Sequence, residues 1–365
     1  MFLTAYNLPH YLISKGIVTA QSVVDGDFMV VEAGRRNRNF KVIRRKNPGL
    51  FVKQMKSTEA QAVATLKREA GFYRALESNP NFAQVREVIP RLVDFDERRN
   101  ALTVSLVSDA ESISERQMRV GIYEEDTARL LGEVLGRVHA QGALVAADPA
   151  ARSLFTYQPP WPLMFDVSGL QFLEKMGAIG PVLAAAIPQT PSLQPMLTAL
   201  RSRWQYDSLV HGDMKWDNCL IRNHASGTPE LILVDWEIAD IGDGAWDIAG
   251  ILKEYVMAVL MNINGRQMAA MQNTPAPPPL ALESLQPAVR AFWSAYAATR
   301  RLPDPAAYFD RAVRLTGARM VVAVLEYLFN QAQLGTLGTM MLQSSANILQ
   351  APQIAAVQLM GTPAT

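Results

Sequence analysis

The sequence predicts an α+β protein in two parts, a smaller one (1–109) built on an antiparallel β-sheet with one helix and a larger, mostly helical one (110–365). Three observations carry this. Short β-rich runs separated by turn residues fill most of residues 27–108, with one helical stretch among them. From about residue 110 the periodicity turns helical. Inside that helical region, short apolar runs bracket an unusually dense polar octapeptide, HGDMKWDN, at 211–218.

The elements follow in order. DFMVVEAG (27–34) is β-rich and ends in Gly34, RNFKVIRR (38–45) alternates, and LFVKQM (50–55) follows a Pro-Gly turn. STEAQAVATLKREAGFYRAL (57–76) begins with a capping signature and reads as a helix. PRLVDFDERRNALTVSLVS (90–108) reads as two strands joined by a polar turn at Asp96–Asn100. The stretch 114–143 contains a long amphipathic helix with Leu130, Val134, Leu135 and Val138 on one face. Residues 144–205 carry prolines and short helical patterns. Strand-like runs recur at 208–213, 218–223 and 231–236, and the rest is helical apart from NTPAPPPL (273–280), whose four prolines predict an exposed loop.

Composition sets the class. The 365 residues are 49% hydrophobic and 19% charged, the profile of a well-packed chain of about two domains. No apolar run reaches the roughly 18 residues of a membrane helix, and 250–263 is broken by Lys253 and Glu254. The N-terminus lacks a basic segment followed by a continuous apolar one, so it does not read as a secretory signal. A single cysteine, Cys219, excludes an intrachain disulfide and a multi-cysteine zinc site and fits a reducing cytoplasm, where it reads as inert core. Residues 1–110 hold 17 Lys/Arg against 11 Asp/Glu, while 111–365 hold 18 against 23. The basic surplus concentrates at RRNRNFKVIRRK (35–46), either a solvated surface or a site for phosphate groups or an acidic partner. With net charge +1 and no nucleic-acid motif, a nucleic-acid partner is not expected.

Five elements in fixed order point to phosphoryl transfer. Lys53 sits within an apolar strand, where an ammonium needs a partner, and Glu69 follows sixteen residues later on the next helix. Such a pair positions an ammonium against the α/β-phosphates of ATP. In HGDMKWDN, Asp213 is placed to accept a proton from an attacking hydroxyl, and Asn218 to give an amide oxygen to Mg²⁺. Asp235 ends an apolar strand 17 residues later and suits the same metal. Asp247 in GDGAWDIAG reads as a structural carboxylate bracing the loop. Taken singly, each has a plainer reading: a polar turn, a lysine snorkelling from an edge strand, a charged helix face shared with Lys67 and Arg68. Asp240 and Asp243 read as loop residues, and His10, His139 and His224 as unassigned.

HGD-x4-N followed by LILVDWE and GDGAWDIAG resembles the aminoglycoside phosphotransferase/choline kinase-type branch of the protein-kinase-like fold, over roughly residues 25–335. The resemblance implies an N-lobe of antiparallel sheet plus helix, a larger helical C-lobe, and ATP with Mg²⁺ as cofactors. It implies Asp213 as catalytic base, Asn218 and Asp235 as metal ligands, and Lys53 with Glu69 on the phosphates. Gly34, Arg35, Arg36 and Asn37 would form the nucleotide-covering loop, and Leu106–Asp109, with Leu106 and Ser108, the hinge that meets adenine. Two residues depart from the family's pattern. Lys215 stands where many small-molecule kinases carry histidine and resembles the lysine with which Ser/Thr protein kinases meet the γ-phosphate. Trp216 replaces a more usual proline.

The acceptor is open at this level: a small-molecule hydroxyl, or a peptide. AGRRNRNFKV with FVKQM is similar to kinase-like proteins of ribosomal-peptide maturation (lanthionine or thioamide-containing peptides), which implies phosphorylation of precursor Ser/Thr before elimination by a partner lyase. A pseudokinase that binds without turnover is the alternative from another class. Acceptor-lining candidates are Trp161, Trp204, Trp293, Tyr296 and Tyr327.

Overall fold

The computed structural model describes residues 2–33, 38–56, 60–149, 154–165, 169–223, 227 and 229–361. Gly34, Arg35, Arg36 and Asn37, expected to form the nucleotide-covering loop, lie outside the described residues. The chain divides into two compact units, Met1–Met118 with Asp217–Ala239, and Arg119–Trp216 with Asp240–Thr365.

Unit one opens with α1 (Leu8–Ser14) and α2 (Ala20–Val24), then β1 (Met29–Glu32), β2 (Arg38–Ile43) and β3 (Leu50–Gln54). Helix α3 (Ala60–Ser78) and the short α4 (Ala83–Arg86) precede β4 (Leu92–Asp96), β5 (Ala101–Ser105) and β6 (Ala110–Ser112). Helix α5 (Ile113–Val120) leads into unit two, which continues with α6 (Glu125–Ala147), α7 (Gly169–Glu174), α8 (Ile179–Gln189), α9 (Leu193–Arg201) and β7 (Ser208–Val210). The chain returns to unit one for β8 (Cys219–Asn223) and β9 (Pro229–Leu233). It then completes unit two with β10 (Asp240–Gly242), α10 (Ala245–Gln272), α11 (Gln286–Arg300), α12 (Pro305–Gln331), α13 (Gly335–Gln350) and α14 (Pro352–Met360).

The five-stranded sheet of unit one has the order β1-β2-β3-β5-β4, antiparallel throughout. β3 is its centre, bonded on both edges, which is why four of its five residues are buried. Against one face pack Leu8, Tyr11 and Leu12 of α1, with Leu3 and Val18, over Phe40, Val42, Leu50 and Val52. Helix α1 lies in a stretch, 1–20, for which the sequence predicts no element; it carries Pro9 in its first turn, where a fixed φ and a missing N–H cost nothing.

Unit two is helical. The amphipathic stripe expected in 114–143 is found on α6, where Val134, Leu135 and Val138 are buried together with Leu131, while Leu130 is only half-buried. That helix does not reach back to residue 114, because the chain turns at Gly121 with φ 74°, a conformation that interrupts a helix and suits glycine. The proline-rich segment 273–279 is an exposed loop as expected, entered through Asn273 in the left-handed region at the end of α10. No helix among the described residues is long and apolar enough to cross a membrane.

Candidate active site

In unit one, the register sets Lys53 opposite Asn39 on one side and Leu102 on the other, so its side chain leaves the middle of the sheet and is 7% exposed. Its Nζ donates to Glu69 Oε1 and Oε2 of α3 at 3.0 and 3.1 Å, and to Asp235 Oδ1. Burial by itself pulls the lysine pKa down. The charges of Glu69, Asp235 and Glu237 more than reverse this, so the ammonium is held above its usual range. Burial pushes Glu69 up to about 7, against the pull of Lys53.

Asn218 and Asp235, 17 residues apart, are made neighbours by a hairpin. β8 and β9 pair antiparallel with Cys219 opposite Leu233, and one step outward Val234 N donates to Asn218 O at 3.0 Å. Asp235 follows with φ 70°, a left-handed conformation that costs a non-glycine residue about 1–3 kcal/mol and tends to persist at functional positions. Beside it, Trp236 stacks on Phe72 of α3 at 5.0 Å, tying the end of β9 to the helix that carries Glu69. Leu106 and Ser108 lie in the connection between β5 and β6, both half-buried, and Leu106 N donates to Gly49 O at 2.9 Å.

In unit two, Asp213 and Lys215 lie on the loop that follows β7. Lys215 Nζ donates to Asp213 Oδ2 at 2.6 Å and stands 3.8 Å from Glu326 Oε1 on α12. Burial raises the Asp213 pKa, but Lys215, Arg319 and His211 together hold it below the usual carboxylate value. The loop is pinned from two sides. Asp247, fully buried on α10, accepts from His211 N at 2.7 Å and Gly212 N at 3.0 Å, the bracing role expected of it. Behind it a buried relay runs from His139 Nε2 (3.1 Å to Asp247 Oδ2), through His139 Nδ1 and the Tyr296 hydroxyl at 2.9 Å, to the Tyr308 hydroxyl at 3.2 Å. From the other side, Arg319 donates to Gly212 O and Met214 O, both at 2.9 Å.

Several expectations change. Asp240 opens β10 and accepts from Thr156 N and Tyr157 N at 2.9 and 3.0 Å. Asp243 is fully buried and ion-paired to Arg311 at 2.9 Å, with burial pushing its pKa up to about 7. Asp240 thus lies in a strand, whereas Asp243 is in the connection between β10 and α10 as expected, where it serves as the acceptor for a guanidinium. Trp293 and Tyr296 are core, stacked at 5.8 Å. Trp216 packs against Tyr255 at 5.1 Å and Tyr123 at 5.7 Å, so the departure from proline supplies an aromatic anchor for the loop.

The reading of single residues missed His139 and Arg319. Both had a visible signal: His139 follows Leu135 by four positions on the buried stripe of α6, and Arg319 is a lone charge within the apolar run of α12. That is the same anomaly that marked Lys53.

Fold and clusters together define a two-lobed α+β protein of the protein-kinase-like fold. A family model described as "Phosphotransferase enzyme family" matches residues 27–282, well over half of the chain, and the protein belongs to that family. It is therefore an ATP-dependent phosphotransferase with a hydroxyl acceptor. Among solved structures, choline kinase LicA from Streptococcus pneumoniae is 14% identical with TM-score 0.53, covering 93% of this chain and 99% of its own. An ethanolamine kinase from Plasmodium vivax is 14% identical with TM-score 0.58, covering 95% and 89%. The GDP complex of aminoglycoside 2'-phosphotransferase-IIIa is 15% identical with TM-score 0.52, covering 95% and 98%. These likenesses speak for the fold alone. No curated protein sequence matches the chain.

Proposed function

We propose that the protein transfers the γ-phosphoryl group of ATP to the hydroxyl of a small molecule, with Asp213 as base. The observation that carries this reading is the pair of pre-set, at least half-buried clusters. Lys53 is locked to Glu69 and Asp235, and Asp213 is kept ionised on a loop fixed by Asp247 and Arg319. Lys53, held by Glu69, would contact the α/β-phosphates, and Leu106 and Ser108 the adenine. Gly34, Arg35 and Asn37 would cover the nucleotide, which gives 1–109 the nucleotide-covering role and 110–365 the acceptor. Asp213 would take the proton of the attacking hydroxyl as its oxygen bonds to the γ-phosphorus and the bond to ADP breaks. Lys215 would leave Asp213 for the γ-phosphate as charge develops there.

The donor chemistry fits Mg²⁺. Among the described residues no three or more His, Cys, Asp or Glu side chains form a metal cage. Mg²⁺ asks for less: one or two carboxylates, the rest phosphate oxygens and water. Asp235 with the Asn218 amide oxygen is such a set. A bound ion there would neutralise charge on the phosphates.

A small-molecule acceptor is preferred because the structures this chain is similar to are a choline kinase, an ethanolamine kinase and an aminoglycoside phosphotransferase. No feature of the described residues favours a peptide acceptor with a partner lyase, and no proposed catalytic or metal residue is missing as a pseudokinase would require. The buried thiol of Cys219 fits a cytoplasmic setting. The test is Mg²⁺-dependent ADP release across a panel of amino-alcohols, aminoglycosides and Ser/Thr peptides. Release is expected with a small-molecule alcohol and is abolished by Asp213→Asn. Turnover only on peptides would overturn the acceptor class, and no release with any acceptor would overturn the function.

A further inference from the structure

Arg319 is charged, 3% exposed, and set among Ala318, Met320 and Val321, all buried. A buried guanidinium persists only where its donors are used, and Arg319 uses them in an unusual way. Nη1 donates to Gly212 O and Nη2 to Met214 O, both at 2.9 Å. These are the carbonyls of the residues on either side of Asp213. The fork therefore fixes the peptide plane that enters Asp213 and the one that leaves Met214, bracketing the Asp213 backbone. Because its direct partners are neutral carbonyls, its charge is left over, and Nη2 lies 3.6 Å from Asp213 Oδ1.

Two other features converge on the same carbonyls. Trp246 Nε1 donates to Gly212 O at 2.8 Å, and its ring lies under the guanidinium at 5.0 Å. Gly250 of α10 leaves the space that Met214 O occupies: a Cβ there would meet that oxygen at 2.3 Å and Arg319 Nη2 at 3.2 Å. The site is shaped for a planar fork with two parallel donors. Lysine carries the same charge but offers a single point, so it would hold one carbonyl and not both.

We infer that Arg319 is a positioning residue for Asp213: it holds the loop so that the carboxylate stands in line for the acceptor hydroxyl. This rests on the proposed role of Asp213 as base. Misplacing a catalytic group by about 1 Å costs on the order of 10²-fold in rate. Arg319→Lys is expected to lower kcat by that order while KM for ATP stays within about twofold, and Arg319→Met is expected to lower kcat further. The acid limb of the kcat profile is expected to move upward in Arg319→Met and less in Arg319→Lys.

Hydrogen exchange of residues 209–216 reads the clamp without needing turnover. Faster exchange in Arg319→Lys, with the rest of unit two unchanged, supports it. Unchanged exchange together with unchanged kcat overturns the inference, as does a fall in kcat matched by an equal rise in KM for ATP. If the wild type releases no ADP, the proposed function fails and the positioning role falls with it. The exchange result then still shows whether the clamp exists, which separates the two failures.

Discussion

The carboxylate of Asp247 is fully buried, and its oxygens accept from the N–H groups of His211 and Gly212 and from His139 Nε2. Burial opposes its charge, but these bonds, led by His139, hold its pKa below the usual value. The tautomer of His139 follows: with Nε2–H given to Asp247, Nδ1 accepts from the Tyr296 hydroxyl. Removing the charge leaves two backbone donors facing an amide that satisfies them poorly. Asp247→Asn is therefore expected to destabilise unit two by about 2–3 kcal/mol, in the range of a hydrogen bond to a charged acceptor. Urea denaturation checks this, and a loss under ~1 kcal/mol, no more than a typical single hydrogen bond contributes, would refute the bracing role. The sign of the pH dependence follows from the lowered pKa. The contribution is fully present above about pH 4, the unfolded value, and is lost as pH falls through the lower folded one.

At the scale of elements, the turn between β2 and β3 shows how a side chain outside the pair can set its register. Asp27 accepts from Arg45 N at 2.5 Å, Lys46 N at 2.7 Å and Asn47 Nδ2 at 2.9 Å. These bonds, led by the one from Asn47, lower its pKa to about 2. Asp27→Ala is expected to lower the stability of unit one at neutral pH. The gap from wild type should be constant above about pH 4 and close as pH falls through about 2. Denaturant titrations at several pH values check this, and a gap that persists at pH 2 would rule out the carboxylate as its source. Nothing in the periodicity of DFMVVEAG singles out Asp27, since its partners, two backbone N–H groups and the Asn47 side chain, lie 18–20 residues away. The strands themselves are legible, because β2 buries the alternating Phe40 and Val42 and β3 buries Leu50 and Val52. Lys53, Asp213 and Asp235 were legible for the opposite reason, as polar groups where local pattern demands apolar ones. Glu326 was not, because an acidic residue on a half-exposed helix face is ordinary until its neighbour Lys215 is known.

At the scale of the whole molecule, the proposed machinery is divided by the chain's own partition. Lys53, Glu69, Asn218 and Asp235 belong to unit one, whereas Asp213, Lys215, Arg319 and Asp247 belong to unit two. The chain achieves this by lending 217–239 to unit one immediately after the loop that carries Asp213. On the proposed assignment, nucleotide affinity and proton transfer would rest on different packed units and be separable by mutation. A ligand that binds only the folded state stabilises it by RT ln(1 + [L]/Kd), about 2.7 kcal/mol at a hundredfold excess over Kd. MgATP is expected to raise the unfolding midpoint of the wild type accordingly, and Asp213→Asn should keep most of that rise, since its carboxylate acts in the transition state. Asp235→Ala should lose it, and should lose it also with EDTA-treated ATP in place of MgATP, because the same side chain holds Lys53. Calorimetry with and without nucleotide distinguishes the cases. If Asp213→Asn abolished the rise while Asp235→Ala retained it, the assignment of binding to one unit and proton transfer to the other would be reversed.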